Sequence, residues 1–263
     1  MHTSQFNIDY STDAGIPMSP LGDCHIGNIG YSRDELLKDV DYIAKGGNLT
    51  VLMGDIIDGI NMDDKRFDPR TVTNNLDRIV TEQIDEAIEI FSRIPKENII
   101  GVHTGNHEET VRHRYCRDAT YEIARALGVP NLGWESWTRL RFKRPGHTEV
   151  LKLASAHGNG GGRKMGAKLN KMEEFVSHRD ADIYLLGHTH FLNAGVGIKT
   201  SIKSSGKLGI WYKEYAYMNT GSYLKGAVDG VITYPERSGF TPLQTGCGTI
   251  FIWPEKRKYK IMY

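Results

Sequence analysis

Asp, Asn and His residues recur in this chain directly after short apolar runs, each time beside a glycine or another small residue. The densest case is Gly54-Asp55-Ile56-Ile57-Asp58, which follows the run Leu49 to Met53. The pattern returns at Leu21-Gly22-Asp23, Thr104-Gly105-Asn106 and Leu186-Gly187-His188, and in related form at Ala156-His157. Each reads as the end of a strand, and in open α/β sheets ligands gather outside the carboxyl ends of the strands. Asp23 and His25 are two apart, as are His188 and His190. On an extended strand end each pair would offer two ligands to one side, with Cys24 and Thr189 facing away. The set Asp23, His25, Asp55, Asn106, His157, His188 and His190 is too large for one tetrahedral zinc. It suits two metal ions about 3.5–4 Å apart that share a carboxylate. Two divalent ions against two aspartates leave an excess of positive charge, which the neutral Asn106 preserves. Such a centre attracts phosphate, and metal-bound water with a pKa lowered to about 7 is a nucleophile at neutral pH.

The elements that must position these residues follow from periodicity. Residues 1–20 are polar and read as irregular, and Pro20 puts the geometry of the first strand in doubt. Ser32 with Glu35 forms the pattern of a capping box. Leu36, Leu37, Val40 and Ile43 then keep helical spacing up to Gly46-Gly47. Leu49–Met53 is a strand, 59–70 a polar loop, and Leu76 to Ile94 one long helix ended by Pro95. Ile99–Val102 is the next strand, followed by a helical stretch from about Glu109 to Leu127. A hairpin is expected around Pro145-Gly146, between Thr138–Lys143 and Val150–Ala156. Lys164–Val176 reads as a helix and Ile183–Leu186 as a buried strand. Strands are expected at Ile198–Ile202, Leu208–Met218 and Thr249–Trp253. The alternation of strand and helix implies a mainly parallel sheet with right-handed crossovers, with a second sheet from the C-terminal half. No linker or repeat divides the chain, so a single domain over residues 1–263 is expected.

Bulk properties exclude less. The 263 residues carry 39% hydrophobic and 25% charged side chains with a net charge of +1, which gives no general pull toward nucleic acid or membrane. Cys24, Cys116 and Cys247 are scattered and odd in number, which speaks against a disulfide framework. No apolar run approaches the ~20 residues of a membrane span, and the first residues lack a leader pattern. A cytoplasmic protein with no membrane partner is the expectation.

The blocks Gly22-Asp23-Cys24-His25, Gly54-Asp55-Ile56-Ile57-Asp58, Gly105-Asn106-His107-Glu108, His157-Gly158 and Gly187-His188-Thr189-His190 resemble, in order, the signature of the calcineurin-like metallophosphoesterases. Asn219-Thr220-Gly221-Ser222 resembles the Asn-x-Gly-Ser segment that many members carry later in the chain. The resemblance implies a four-layer αββα sandwich, two mixed sheets flanked by helices, with the metals at the strand carboxyl ends. It implies one metal on Asp23, His25, Asp55 and His190 and a second on Asp55, Asn106, His157 and His188, with Asp55 as the bridge. It further implies that His107, held by Asp58, stabilises the transition state and protonates the leaving oxygen while a metal-bridging hydroxide attacks phosphorus in line. A neighbouring carboxylate favours imidazolium, which suits a general acid. Asn106 and His107 are then also substrate contacts. Manganese is the expected metal, with iron, zinc, nickel or cobalt as alternatives, because N/O ligands do not separate them.

Other residues are weaker candidates. Gly158–Gly162 before Arg163 lacks the spacing of a phosphate-cradling P-loop, but its place beside His157 makes Arg163 a candidate substrate contact. Trp211, Lys213, Tyr215 and Tyr217 share one face of a strand, where aromatic packing is the commoner role and base stacking the rarer. Glu108 is read as favouring a helix N-terminus through the dipole. Arg112, Arg114 and Arg117 are read as solvated helix charges, and His2, His103, His113, His147 and His178 match no block. Asp23-x-His25 followed by Ile26-Gly27 resembles the DNA-repair exonuclease branch, whose usual DNA-capping domain is not expected within these residues. The expected substrate is a phosphodiester of nucleic-acid or cyclic-nucleotide type, slightly preferred over a phosphomonoester or nucleotide. A metal-binding scaffold without catalysis is the reading of another class. Oligomeric state is not legible.

Overall fold

In chain order the strands are β1 (His2–Asp9), β2 (Ile16–Met18), β3 (Thr50–Leu52), β4 (Ile99–His103), β5 (Asn131–Gly133), β6 (Glu135–Arg144), β7 (His147–Ala156), β8 (Ile183–Leu186), β9 (Leu192–Ile202), β10 (Ile210–Thr220), β11 (Thr249–Trp253) and β12 (Lys258–Met262). The helices are α1 (Arg33–Gly46), α2 (Ile79–Phe91), α3 (Asn106–Tyr115), α4 (Ala119–Leu127), α5 (Met165–Ser177) and the short α6 (Tyr234–Arg237). The computed structural model describes residues 2–11, 13–160, 162–203, 205–237, 239–241 and 243–263, with Tyr234 by its backbone alone.

Alternation along the strands builds the layers. In β8, Ile183 and Leu185 enter one apolar cluster while Tyr184 and Leu186 enter another. In β3, Val51 and Leu52 likewise part company. Strands buried on both faces belong to sheets covered on both faces. One sheet has the order β1-β6-β7-β8-β10-β9. The other joins β12-β11-β2 to β3-β4-β5 through parallel bridges Met18–Leu49 and Leu21–Leu52. Both sheets mix parallel and antiparallel pairs. Ile16, Met18, Val51, Met53, Leu151, Leu153, Ile183, Met218 and Ile250 fill the space between them. Leu36, Val40, Ile84, Phe91 and Ile123 pack the α1, α2 and α4 side, and Met172 and Phe175 of α5 pack the other sheet's outer face. The architecture is therefore an αββα sandwich.

Several sequence expectations change in detail. The expectation of an irregular start fails over His2–Asp9, because β1 pairs in parallel with β6 from His2–Ser136 to Asp9–Lys143. Its half-exposed, polar residues hid the strand. The prolines near β2 are accommodated by direction. Pro17 offers only its carbonyl to Leu49 N (2.9 Å), whereas Ser19 and Leu21 donate to Leu49 O (2.8 Å) and Val51 O (3.0 Å). Pro20, between two donors, points its missing N–H away from β3.

Ser32 does sit at the N-cap of α1, but its side chain makes no cap bond. The long helix begins as a 3₁₀ turn over Leu76–Arg78, capped by Asn75, and ends at Phe91. The stretch 109–127 is two helices, broken at Cys116 in the left-handed region (φ 51) and restarted by Asp118, which accepts from Tyr121 N. The short β5 and the C-terminal β12 escaped the pattern. No helix among the described residues is long and apolar enough to cross a membrane.

Candidate metal centre

The carboxyl ends of β3 and β4 from one sheet, and of β7 and β8 from the other, open toward the same place. Asp55 follows β3, Asn106 follows β4, His157 follows β7, and His188 and His190 follow β8. Asp23 and His25 come from the turn after Leu21, and Asp23 N and His25 N donate to Gly54 O (2.9 Å) and Asp55 O (3.0 Å). That turn is also held from behind, where the Asp23 carbonyl accepts from Tyr223 N (3.0 Å) and Ser222 Oγ (2.9 Å). The Asn219–Ser222 segment thus acts through Ser222, and with it the next residue Tyr223, on the first ligand turn.

The ligand pairs do not lie on extended strand ends, as the spacing suggested. Asp23, His25, Asp55, His188 and His190 all have positive φ, between 47° and 64°. Only two other non-glycine residues do so among those described, Cys116 and Arg257. Such backbones cost of order 1–3 kcal/mol each and persist where the surroundings over-determine them. The i, i+2 convergence is real but comes from left-handed turns instead of the pleat. Glycine makes room for this at Gly54 (φ 87), where a Cβ would stand 2.7 Å from Gly105 N. At Gly105, a Cβ would stand 2.2 Å from Asp55 N and Oδ1.

Glu108 is the residue whose role the sequence understated. It lies in the first turn of α3, and its buried carboxylate accepts from Gly105 N (2.8 Å), Asp55 N (3.0 Å), Ile56 N (2.7 Å) and Ile57 N (3.0 Å). It holds the opening loop as well as the helix. Burial and the nearby Asp55 push its pKa up while the backbone bonds oppose them.

Two groups of donor atoms form around Asp55. Asp23, His25, Asp55 and His190 present ligand atoms all within 4.8 Å of one another, and Asp55, His157 and His188 do the same. In the first group, His190 Nε2 is 3.4 Å from Asp23 Oδ1 and 3.2 Å from His25 Nε2. In the second, His157 Nε2 is 3.4 Å from Asp55 Oδ2, 3.2 Å from Asn106 Oδ1 and 3.3 Å from His188 Nδ1. Backbone N–H groups orient both carboxylates. His188 N donates to Asp23 Oδ2 (2.9 Å) and His107 N to Asp55 Oδ1 (2.9 Å). His157 donates from Nδ1 to Met53 O (2.9 Å), which leaves its Nε2 facing the group.

The donor set fits metal ions. Asp23 Oδ1 is buried without a hydrogen-bond partner, a costly state unless something else takes its lone pairs. Burial pulls the His25 and His188 pKa values down, which keeps them in the neutral form a metal needs. Burial also acts on His157, but the Asp55 carboxylate overrides it and holds the imidazole up at about 10. Burial resists ionisation of Asp55 and Asp23 too. Even so, His157 and His107 hold Asp55 well below the carboxylate range, and His190 lowers Asp23.

His25, Asp58 and His107 make a third group that shares His25 with the first. The Asp58 carboxylate lies 3.5 Å from His25 Nδ1 and 3.9 Å from His107 Nδ1, and accepts from Asn28 Nδ2 (3.2 Å). It is the Asp58 backbone carbonyl that accepts a hydrogen bond from His107 Nδ1. His107 Nε2 therefore faces outward, with Arg66 Nη1 3.4 Å away. Arg66 was hidden in a stretch read only as polar loop.

The remaining candidates fall outside this group. Arg163 is exposed just before α5, and Gly161 of the adjoining glycine run lies outside the described residues. Lys168, on α5, is buried and donates to Thr189 O (2.8 Å), tying down the His188–His190 turn. Tyr215 and Tyr217 pack on the α5 side, and Lys213 pairs with Asp180 and Asp182. His103 is a core residue between Gly133 O and Ser155 Oγ (both 2.8 Å), pushed down to about 4 by burial. Cys24 is buried at the α side behind the ligands.

No family model matches the chain, and no curated protein matches it. Solved structures do align with it, and three of them cover most of its length. A predicted phosphoesterase from Streptococcus pneumoniae TIGR4 is 14% identical, with 91% of this chain and 83% of that one covered and a TM-score of 0.34. A metallophosphoesterase from Sphaerobacter thermophilus is 13% identical, with 94% and 87% covered and a TM-score of 0.37. Vps29 from Chaetomium thermophilum is 9% identical, with 94% and 93% covered and a TM-score of 0.40. At these values the likeness does not extend to activity. The chain resembles the calcineurin-like metallophosphoesterases in the order of its motifs and in its sandwich architecture.

Proposed function

We propose that residues 1–263 act as one domain that hydrolyses phosphoesters with two divalent metal ions. The observation that carries this reading is the sharing of Asp55 by two buried ligand groups. One ion would be held by Asp23, His25, Asp55 and His190, the other by Asp55, Asn106, His157 and His188. Bound divalent ions supply Lewis acidity toward a phosphoryl oxygen and a water acidic enough to be a nucleophile at neutral pH. The chain's own residues do the rest. Asp55 fixes the two halves of the site to one another. His107, bound through Nδ1 to the Asp58 carbonyl, turns Nε2 toward the substrate, where it can give a proton to the leaving oxygen. Asp58, beside both His25 and His107, sets their orientation.

Phosphodiesters are slightly preferred in this reading, of nucleic-acid or cyclic-nucleotide type, with monoesters and nucleotides as the alternative. Manganese is the first ion to test, and a cytoplasmic setting accords with the lack of a disulfide framework. Manganese-loaded protein assayed on a panel of diesters and monoesters, with metal content measured in parallel, is the test. Turnover of diesters with two ions per chain is expected. Equal or faster turnover of monoesters would overturn the diester preference. Two bound ions with no turnover of any ester would favour a metal-binding scaffold.

A further inference from the structure

The loop between β3 and α2 carries the same short pattern twice, Asp64-Lys65-Arg66 and Asp68-Pro69-Arg70. In both, the aspartate grips the arginine two residues on through a two-pronged fork. Asp64 takes Arg66 Nε at 3.0 Å and Nη2 at 2.8 Å, and Asp68 takes Arg70 Nε at 3.0 Å and Nη2 at 2.7 Å. Their surroundings differ. The Arg70 side chain is 68% exposed and, beyond the fork, points to solvent. The Arg66 side chain is 25% exposed, and Asp64 is buried. Arg114 of α3 anchors this loop, donating to the Asp63 carbonyl and standing 3.7 Å from Asp64. The fork uses Nε and Nη2 and leaves Nη1 as the free end, which lies 3.4 Å from His107 Nε2.

We propose that Arg66 is a substrate-binding residue whose Nη1 joins His107 Nε2 in holding one phosphoryl oxygen. This rests on the phosphoesterase reading of the centre. The Arg66 contact lies at Nε2, the His107 ring nitrogen that is not bound to the Asp58 carbonyl. An oxygen entering there accepts from the Arg66 guanidinium, a charge-assisted bond that no residue of the ligand set provides, with His107 Nε2 beside it. The Asp64 fork has already fixed the guanidinium plane, so little side-chain freedom is lost on binding. Asp64 and Arg114 are accordingly positioning residues for Arg66.

The test is titration of inorganic phosphate into protein loaded with zinc or manganese, followed by calorimetry, alongside diester kinetics. Arg66→Ala should weaken phosphate affinity and raise KM by about tenfold or more, the size of one charge-assisted hydrogen bond, with metal content unchanged. Arg66→Lys should recover part of the loss. Asp64→Asn should give a smaller loss, and Arg70→Ala none. Unchanged phosphate affinity in Arg66→Ala, an equal loss in Arg70→Ala, or no phosphate binding by the wild-type protein would each overturn the assignment. Ester hydrolysis that persists with phosphate affinity unaltered in Arg66→Ala would overturn the assignment alone and leave the phosphoesterase reading standing. Phosphate held through Arg66 with no ester turned over would do the reverse.

Discussion

The two ends of the β7-β8-β10 sheet carry similar residues in opposite electrical states. At the amino end, buried Asp182 accepts from Lys152 N (2.7 Å) and faces Lys213 Nζ at 3.1 Å and Arg257 Nη1 at 3.4 Å. Asp180 beside it pairs with Lys152 and Lys213. Every acid there has a cation. At the carboxyl end, Asp23 and Asp55 meet imidazoles and backbone N–H groups, and among the described residues no Lys or Arg bonds to either. One of their oxygens, Asp23 Oδ1, makes no hydrogen bond and faces His190 Nε2 at 3.4 Å. The amino end closes its own charge. The carboxyl end gathers carboxylates and imidazoles that could hold metal ions, on backbone turns that no strand would adopt by itself.

Substitutions at the two ends should therefore fail in different ways. Asp55→Ala should empty both metal positions and lower turnover by about a thousandfold or more, since a bound metal contributes several kcal/mol to the transition state. Elemental analysis with an esterase assay checks this, and retention of one full equivalent of metal would end the idea of a shared bridge. His107→Ala should keep both metals and reduce kcat by roughly 10²–10⁴-fold, the usual span for a general acid. An unchanged rate would remove His107 from the mechanism.

Asp182→Ala should cost about 1–3 kcal/mol of folding stability by leaving the Lys152 N–H without its acceptor and removing one of the two carboxylates that Lys213 faces, with metal content and KM intact. Thermal unfolding measures it, and a loss of metal would show that the two ends are coupled. Asp58→Asn should leave the metals bound and slow turnover about 10–100-fold, as loss of a ligand's hydrogen-bonding partner does. The effect stays below that of His107→Ala because the Asp58 carbonyl survives. An emptied site would make Asp58 a ligand.

The smallest signal is a proton. His157, held up at about 10 by Asp55, carries a proton at neutral pH in the metal-free protein. A raised folded-state pKa means that this proton's contribution to stability is complete below the ordinary value of 6.5 and fades as pH rises through about 10. Metal uptake at pH 7 must displace it, so calorimetry in buffers of different ionisation enthalpy should show about one proton released per chain from this residue. Absence of release would argue that His157 binds no metal.

Much of the site was legible from residue order because its chemistry is carried by residue type. Asp23, His25, Asp55, Asn106, His157, His188 and His190 stand after apolar runs that must be buried strands, and strand ends in layered α/β folds share an edge. Glu108 was visible only as a helix-start acid, since the three loop N–H groups it holds lie about fifty residues away. Arg66 gave no signal at all. Its loop lacks periodicity, and Asp64-x-Arg66 and Asp68-x-Arg70 are alike until burial separates them. β1 was missed for a related reason, because an edge strand with one wet face lacks the apolar run that marks β3 or β8.

The sequence by itself determined which residues can ligate a metal, that they end strands, and that strands and helices alternate. These follow from side-chain chemistry and from local periodicity, which need no knowledge of distant neighbours. The tertiary structure alone decided that two sheets present their ends to one ligand cluster, and that the ligand turns are left-handed. It also decided that His107 hangs from the Asp58 carbonyl, and that Arg66 reaches its other ring nitrogen. Those outcomes depend on contacts across tens to more than a hundred residues, such as His157 with Met53 and Asp23 with His188. Packing sets such contacts, and no local pattern encodes them.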